Sequence, residues 1–194
     1  MPRGADLDPH PAIDSPVFDE VPVLQQPVDG IAIRAATLDD AGAIATIYNH
    51  FVRDTIITFE EIEIDGDEIA RRMQSVWSSS LPWLVAEEHA QIVGYSYATK
   101  WKERVGYRFS VESTVYLTPG ATGKGIGLAL YNALIVLLEK AGVHAVMGGI
   151  ALPNDASVAL HAKMAMKQVA HFEQTGFKFG RWIDVVYYER LFAA

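Results

Sequence analysis

The sequence predicts an α/β (α+β) fold, a mixed central sheet with helices on both faces. Two patterns and one bulk property predict it. Strand-like runs come first at hairpin spacing, which makes antiparallel neighbours. A later strand–helix–strand unit makes a parallel pair. The composition is ordinary for a globular domain, with 50% hydrophobic and 21% charged residues over 194 positions. One core can serve that length.

Residues 1–30 read as a Pro/Asp-rich N-terminal extension. They hold Pro2, Pro9, Pro11, Pro16, Pro22 and Pro27, with Asp6, Asp8, Asp14, Asp19, Glu20 and Asp29. Proline breaks helices and removes donors, and the stretch has no period. It reads as a solvated tail, with Val21, Val23 and Leu24 as the residues able to dock it. The domain proper spans 31–194. Ile31 and Ile33 alternate with Arg34 as a strand. Thr37 and Asp40 form a capping-box pattern, and Ile44, Ile47, Tyr48 and Phe51 follow at helical spacing. Asp65 with Glu68 caps a helix carrying Ile69, Met73 and Val76. Trp83–Ala86 and Ile92–Ala98 are a hairpin, and Val111–Leu117 is the next strand. A long helix with Ile126, Leu130, Leu134, Leu137 and Ala141 on one face ends at Gly142. Val143–Met147 is a strand. Asn154 or Asp155 caps a helix carrying Val158 to Ala165, and Lys167–Glu173 and Trp182–Glu189 close the sheet.

Several classes of function are disfavoured from the start. The chain has no cysteine, so disulfides, thiolate zinc sites and a cysteine acyl-enzyme are excluded. Its formal net charge of -8 opposes binding to nucleic-acid phosphates. No apolar run reaches the roughly 20 residues of a membrane span, and no secretory pattern opens the chain. The expected setting is the cytoplasm and the expected partner a small molecule. The histidines show no metal spacing, so no metal is expected.

The most informative segment is Val115-Tyr116-Leu117-Thr118-Pro119-Gly120-Ala121-Thr122-Gly123-Lys124-Gly125-Ile126-Gly127. A strand enters a glycine-rich turn that opens a long helix. Free N–H groups and the positive dipole end of that helix suit a pyrophosphate, and glycines let it approach the backbone. Lys124 adds a mobile positive charge. The Walker pattern fails, because Thr118 and Gly125 stand where Gly and Ser or Thr are required. The dinucleotide pattern fails at Leu128. A plain glycine turn at a helix start remains the alternative on these residues alone.

A dispersed set of residues, in order, resembles the phosphinothricin acetyltransferases of the GNAT superfamily. They are Tyr48-Asn49-His50, Pro82–Glu87, Tyr97-Ala98, Trp101-Lys102, Arg104, Tyr107, Val111–Tyr116, Leu152–Asp155, Leu160-His161, Gly176–Lys178, Gly180, Trp182, Asp184 and Val185. The resemblance covers about residues 31–192. Gly125 and Gly127 match the superfamily's turn, but Thr122 stands where Gln or Arg is usual, and Ala165-Met166 replaces Gly with Phe or Tyr.

The resemblance implies the GNAT fold, with two central parallel strands splayed apart and acetyl-CoA wedged between them. It implies a cofactor site of Val115, Tyr116, Leu117, Thr122, Gly123, Lys124, Gly125, Ile126 and Gly127, with Asn154, Ser157 and Lys163 beside the pantetheine arm. It also implies a homodimer.

Acetyl transfer to an amine needs a base and donors for the developing oxyanion. Glu112 shares a strand face with Thr114 and Tyr116, and a carboxylate there is unusual unless it has a task. A solvated strand face is the plain alternative, and the resemblance favours the base. His161 stands where many GNAT enzymes carry a tyrosine near the CoA sulfur, and imidazole titrates near 6.5. By resemblance Trp101, Arg104 and Tyr107 line the acceptor pocket, with Phe59 and Glu61 as weaker candidates. Lys178, Arg181 and Trp182 are candidates for a lid or a dimer contact. The implied reaction moves acetyl from acetyl-CoA to the α-amine of phosphinothricin, methionine sulfoximine or methionine sulfone. The alternatives are acetylation of a protein N-terminus or lysine, and a CoA-binding sensor without catalysis.

Overall fold

The computed structural model describes residues 28–193. Residues 1–27 of the extension, including the expected docking residues Val21, Val23 and Leu24, lie outside the described residues. Seven strands form one sheet: β1 (Ile31–Ala35), β2 (Trp83–Glu88), β3 (Gln91–Lys100), β4 (Ser110–Leu117), β5 (Ala145–Ala151), β6 (Lys167–Lys178) and β7 (Arg181–Leu191). Their order is β1-β2-β3-β4-β5-β7-β6. The β4–β5 pair is parallel, and the other neighbours are antiparallel.

Four helices cover the sheet: α1 (Ala41–Asp54), α2 (Gly66–Ser78), α3 (Ile126–Lys140) and α4 (Asp155–Lys163). Both expected N-terminal signals are realised. Asp40 closes a capping box with Thr37 over a short 3-10 turn, and Arg34 grips the same carboxylate at 2.8 Å. Asp65 accepts from the Glu68 N–H at 2.9 Å. The α3 helix is buried on most of its surface, not along one stripe, because it packs on β1 to β4 and is flanked by α4. Its Ile126, Leu130 and Leu134 are fully buried in the main core.

The last three strands differ from the sequence reading, and α4 ends at Lys163, short of Ala165. The fifth strand is Ala145–Ala151, not Val143–Met147. The Val143 N–H is spent on the Leu138 carbonyl, which closes α3, so extension starts later. Gly148 and Gly149 stay in the strand because β7 pairs with each residue of β5. The last two strands are longer than expected, since they pair with each other out to Lys178 and Arg181.

Candidate active site

The parallel pair β4–β5 is joined only where Ser110, Val111 and Glu112 face Ala145, Val146 and Met147. Beyond Glu112 the strands part. A cavity of about 270 Å³ occupies the gap, walled by Glu112, Ser113, Tyr131, Gly149, His161 and Tyr187 among others. Strand alternation sets its two sides. Tyr116, on the Glu112 face, packs against Tyr48 and Phe51 of α1, with ring centroids 5.4 and 4.7 Å away. Ser113, on the other face, lies 2.6 Å from the Tyr131 hydroxyl of α3. The cavity therefore runs through the sheet from the α1 side to the α3 side.

Glu112 is half-buried on β4. Burial raises its carboxyl above the usual range, against the opposing pull of the Tyr187 phenol and the Lys102 ammonium. His161 occupies the last turn of α4 and is buried at 4% exposure. Its Nδ1 lies 2.8 Å from the Ser157 carbonyl and its Nε2 lies 3.1 Å from the Tyr131 hydroxyl. A carbonyl only accepts, so Nδ1 carries a proton and donates to it. Burial lowers the imidazole below 6.5, opposed by the Ser157 carbonyl. Burial pushes Tyr131 up to about 12.

Gly148 and Gly149 make the cavity possible. A Cβ at Gly148 would run into the His161 ring, while one at Gly149 would lie 3.0 Å from Glu112 Oε1 and 3.3 Å from Tyr187 Cζ. Consecutive strand residues point to opposite faces, so each glycine clears space for a different candidate residue.

A groove of about 370 Å³ continues from this cavity and shares Ile57, Val115, Tyr116, Asn154 and Ser157 with it. It also touches Leu117, Thr122, Gly123, Gly125, Gly127 and Lys163. Gly125 is the N-cap of α3 at φ 82°, in the left-handed region, with no side-chain cap. The first N–H groups of α3 thus open toward the groove. The Thr122 hydroxyl donates to the Pro119 carbonyl at 3.0 Å, so it braces the turn's own backbone. Asn154 uses its side-chain oxygen to cap α4 at the Ser157 N–H, 3.1 Å away.

Some expected site residues lie elsewhere. Ile126 is fully buried in the core, and Lys124 is exposed; neither lines the groove. Phe59 does line the cavity, with its ring filling the space a side chain at Gly176 would need. Trp101, Arg104 and Tyr107 are not among the cavity's lining residues. They sit on the loop between β3 and β4, where Arg104 is exposed and Tyr107 stacks edge-on against Trp101 at 5.3 Å. The reason is topological. The cavity opens C-terminal to Glu112, whereas this loop leaves the sheet at the N-terminal end of β4. Its Lys102 is the cation felt at Glu112.

Ser113, Tyr131, Tyr187 and the glycine pair were missed by the sequence reading. A Gly-Gly pair inside an apolar run was a usable signal, because glycine within a strand marks close approach. Tyr131 and Tyr187 carried none, since an aromatic at core spacing reads as packing.

Comparison with known proteins agrees with this architecture. The chain matches the acetyltransferase (GNAT) domain over residues 33–187. It is 39% identical over 159 residues to a phosphinothricin N-acetyltransferase of Alcaligenes faecalis, covering 81% of each chain. It is 34% identical over 157 residues to an L-methionine sulfoximine/L-methionine sulfone acetyltransferase of Salmonella typhimurium, covering 81% of this chain and 92% of that one. A phosphinothricin acetyltransferase of Sinorhizobium meliloti, solved in complex with acetyl-CoA, superposes with a TM-score of 0.81 at 33% identity, covering 84% of this chain and 88% of that one. With a sheet that splays at its parallel pair and a glycine turn opening α3, the chain belongs to the GNAT acetyltransferase family, as an acetyl-CoA-dependent N-acetyltransferase.

Proposed function

We propose that the chain acetylates the α-amine of a small amino-acid analogue of the phosphinothricin and methionine sulfoximine or sulfone class. One observation carries this reading. A single passage runs from Glu112, through the gap between β4 and β5, past His161 to the glycine turn. Its inner cavity, about 270 Å³, suits a small acceptor better than a protein segment. The relatives named above act on acceptors of that class.

The residues present fit acetyl-CoA. The left-handed Gly125 and the uncapped start of α3 offer backbone donors to a pyrophosphate. Val115, Tyr116 and Leu117 wall the groove on one side and Asn154, Ser157 and Lys163 on the other. When bound, acetyl-CoA supplies a thioester whose acetyl carbon takes the amine's lone pair as the carbon–sulfur bond breaks. Glu112 serves as the base that takes the amine's proton, directly or through a water. Its raised pKa brings it closer to working pH, where a base is most effective. His161, bonded to Tyr131 on the opposite face, is the proton-transfer group on the sulfur side. Phe59 closes the acceptor end, and Lys102 supplies positive charge near Glu112 for an acidic acceptor.

The enzyme works in the cytoplasm as a homodimer on this reading. Among the described residues no helix is long and apolar enough to cross a membrane. The edge strand β6 and its partner β7 expose Val169, Phe172, Phe177 and Trp182, an apolar surface of the kind that pairs with a second copy.

The test is a thiol-release assay with acetyl-CoA against a panel of amines. Phosphinothricin, methionine sulfoximine and methionine sulfone should turn over. A preference for peptides with free N-termini or lysines would assign the enzyme to protein acetylation instead, and binding without turnover of any amine would leave only a sensor.

A further inference from the structure

Tyr187 has no role in the reading so far. It lies on β7 directly opposite Gly149 of β5 and lines the same cavity as Glu112. The position a Cβ would take at Gly149 is 3.0 Å from Glu112 Oε1 and 3.4 Å from the Tyr187 hydroxyl. Both groups thus converge on a point of β5 that lacks a side chain. Tyr187 is half-buried, and among the described residues the group its phenol interacts with is the Glu112 carboxylate. Phe172 packs edge-on against its ring at 6.0 Å, which orients the phenol.

We propose that Tyr187 is a positioning residue for the base, its hydroxyl donating to the Glu112 carboxylate and holding it aimed into the gap between β4 and β5. A side chain at residue 149 would separate the pair, so the glycine is part of the device. The proposal rests on the reading of Glu112 as the base.

The electrostatics agree. The phenol lowers the Glu112 carboxyl while burial raises it, and the carboxylate in turn raises Tyr187, whose own burial acts in the same direction. Among the described residues, the titratable groups that interact with Glu112 are Tyr97 from β3, Lys102 from the β3–β4 loop, Tyr131 across the sheet on α3 and Tyr187 from β7. Of these, the Tyr187 phenol and the Lys102 ammonium favour the charged carboxylate. A hydrogen bond to a charged group contributes more than one between neutral groups. Without the phenol, the carboxylate protonates at a higher pH and swings free.

The experiment compares the pH dependence of kcat/KM for phosphinothricin in the parent, Tyr187→Phe and Glu112→Gln. Phenylalanine keeps the ring and its packing, and a thermal melt confirms the fold. In Tyr187→Phe the acidic limb should move to higher pH. On that limb kcat/KM should drop by about tenfold, the equivalent of one hydrogen bond to a charged group. The loss should shrink at high pH, and acetyl-CoA affinity should not change. A profile superimposable on the parent's overturns the proposal while leaving Glu112 as the base. If Glu112→Gln keeps the parent's acidic limb, the base assignment fails and Tyr187 falls with it.

Discussion

The Tyr131 hydroxyl lies 3.1 Å from Nε2 of His161, and that contact makes the direction of a buried hydrogen-bond chain depend on one proton. Nδ1 donates to the Ser157 carbonyl, so a neutral ring has only an acceptor at Nε2. Tyr131 then donates to Nε2, and Ser113 donates to Tyr131 across 2.6 Å. A protonated ring reverses the chain. Nε2 donates to Tyr131, Tyr131 donates to Ser113, and Ser113 donates to the Met147 carbonyl at 3.0 Å. The two directions differ at Ser113, whose single proton goes to Tyr131 when the ring is neutral and to the Met147 carbonyl when the ring is protonated.

This chain gives a stability prediction with a definite sign. The folded pKa of His161 is below the free value of 6.5. As pH falls below 6.5, the unfolded chain takes up the proton more readily than the folded one, so the folded state loses stability. Above that pH the contribution is fully present. The Tm of the parent should therefore fall more steeply on acidification than that of His161→Gln, which has no such proton to bind. Parallel Tm curves from pH 7 down to about 5 would show that burial does not control this imidazole.

The tyrosine end of the chain tests its energetics. Tyr131→Phe removes the donor to Nε2 and the partner of Ser113 in a buried site. Stability should fall by about 1–3 kcal/mol, the usual cost of an unsatisfied buried polar group. Denaturant unfolding measures this. A variant as stable as the parent would mean that these groups find other partners.

Glu112→Gln should reduce turnover by about 10² to 10⁴, the usual span for a missing general base, with acetyl-CoA affinity unchanged. It should also raise Tm at neutral pH. Burial raises the folded pKa of Glu112 above the ordinary 4.5, so its stabilising contribution is complete below that value. It is lost as pH rises through the folded pKa. The advantage of the glutamine variant should consequently shrink on acidification toward 4.5. Slower turnover with a higher Tm is the signature of a group placed for chemistry at a cost in stability.

The glycine turn was the most legible part of the site, and the opposite faces of the gap were the least. Gly125 and Gly127 pointed to a helix start with open backbone donors, and they line the groove, because glycine spacing is local in sequence. Glu112 stood out as a carboxylate within an apolar strand, and the resemblance, not the strand pattern, favoured it as the base. Tyr131 and Tyr187 come from α3 and β7, and only the fold brings them to Glu112 and His161. The shifted start of β5 had a local cause that periodicity does not show, since the Val143 N–H belongs to the end of α3. Trp101, Arg104 and Tyr107 were assigned to the acceptor pocket by resemblance, and no spacing rule reveals which end of β4 the cavity occupies.

Gly125→Val tests the donor turn. Gly125 sits at φ 82°, where a residue with a Cβ loses roughly 1–2 kcal/mol. The space around it is open, with only Val28 at 3.8 Å from an added Cβ. A folded variant is therefore expected, and its defect should lie in binding. The valine side chain occupies the approach a pyrophosphate needs to reach the first N–H groups of α3. Calorimetry should find acetyl-CoA binding lost or weakened by at least tenfold. Unchanged affinity would place the pyrophosphate elsewhere.

The glycine pair on β5 allows a sharper test, because two neighbouring substitutions of the same chemistry should fail differently. At Gly148 an added Cβ meets the ring of His161, a buried side chain held by hydrogen bonds at both nitrogens, with the Tyr131 hydroxyl 3.5 Å away. That ring has nowhere to go, so Gly148→Ala should cost about 1–3 kcal/mol as an overpacked core does. At Gly149 the nearest atom is Glu112 Oε1 at 3.0 Å, the far end of a flexible side chain, with Tyr187 Cζ at 3.3 Å. The carboxylate can swing aside into the cavity, so Gly149→Ala should fold with nearly the parent's stability. Its defect should appear in catalysis, because the carboxylate is no longer held where the amine's proton must go, and displaced geometry is costly in rate. The expected pattern is a low Tm for Gly148→Ala, and a near-parental Tm with a reduced kcat for Gly149→Ala. If the two variants behave alike in both measurements, the division of the cavity between the two faces of the sheet is wrong, and with it the proposal that Glu112 and His161 act from opposite sides of the thioester.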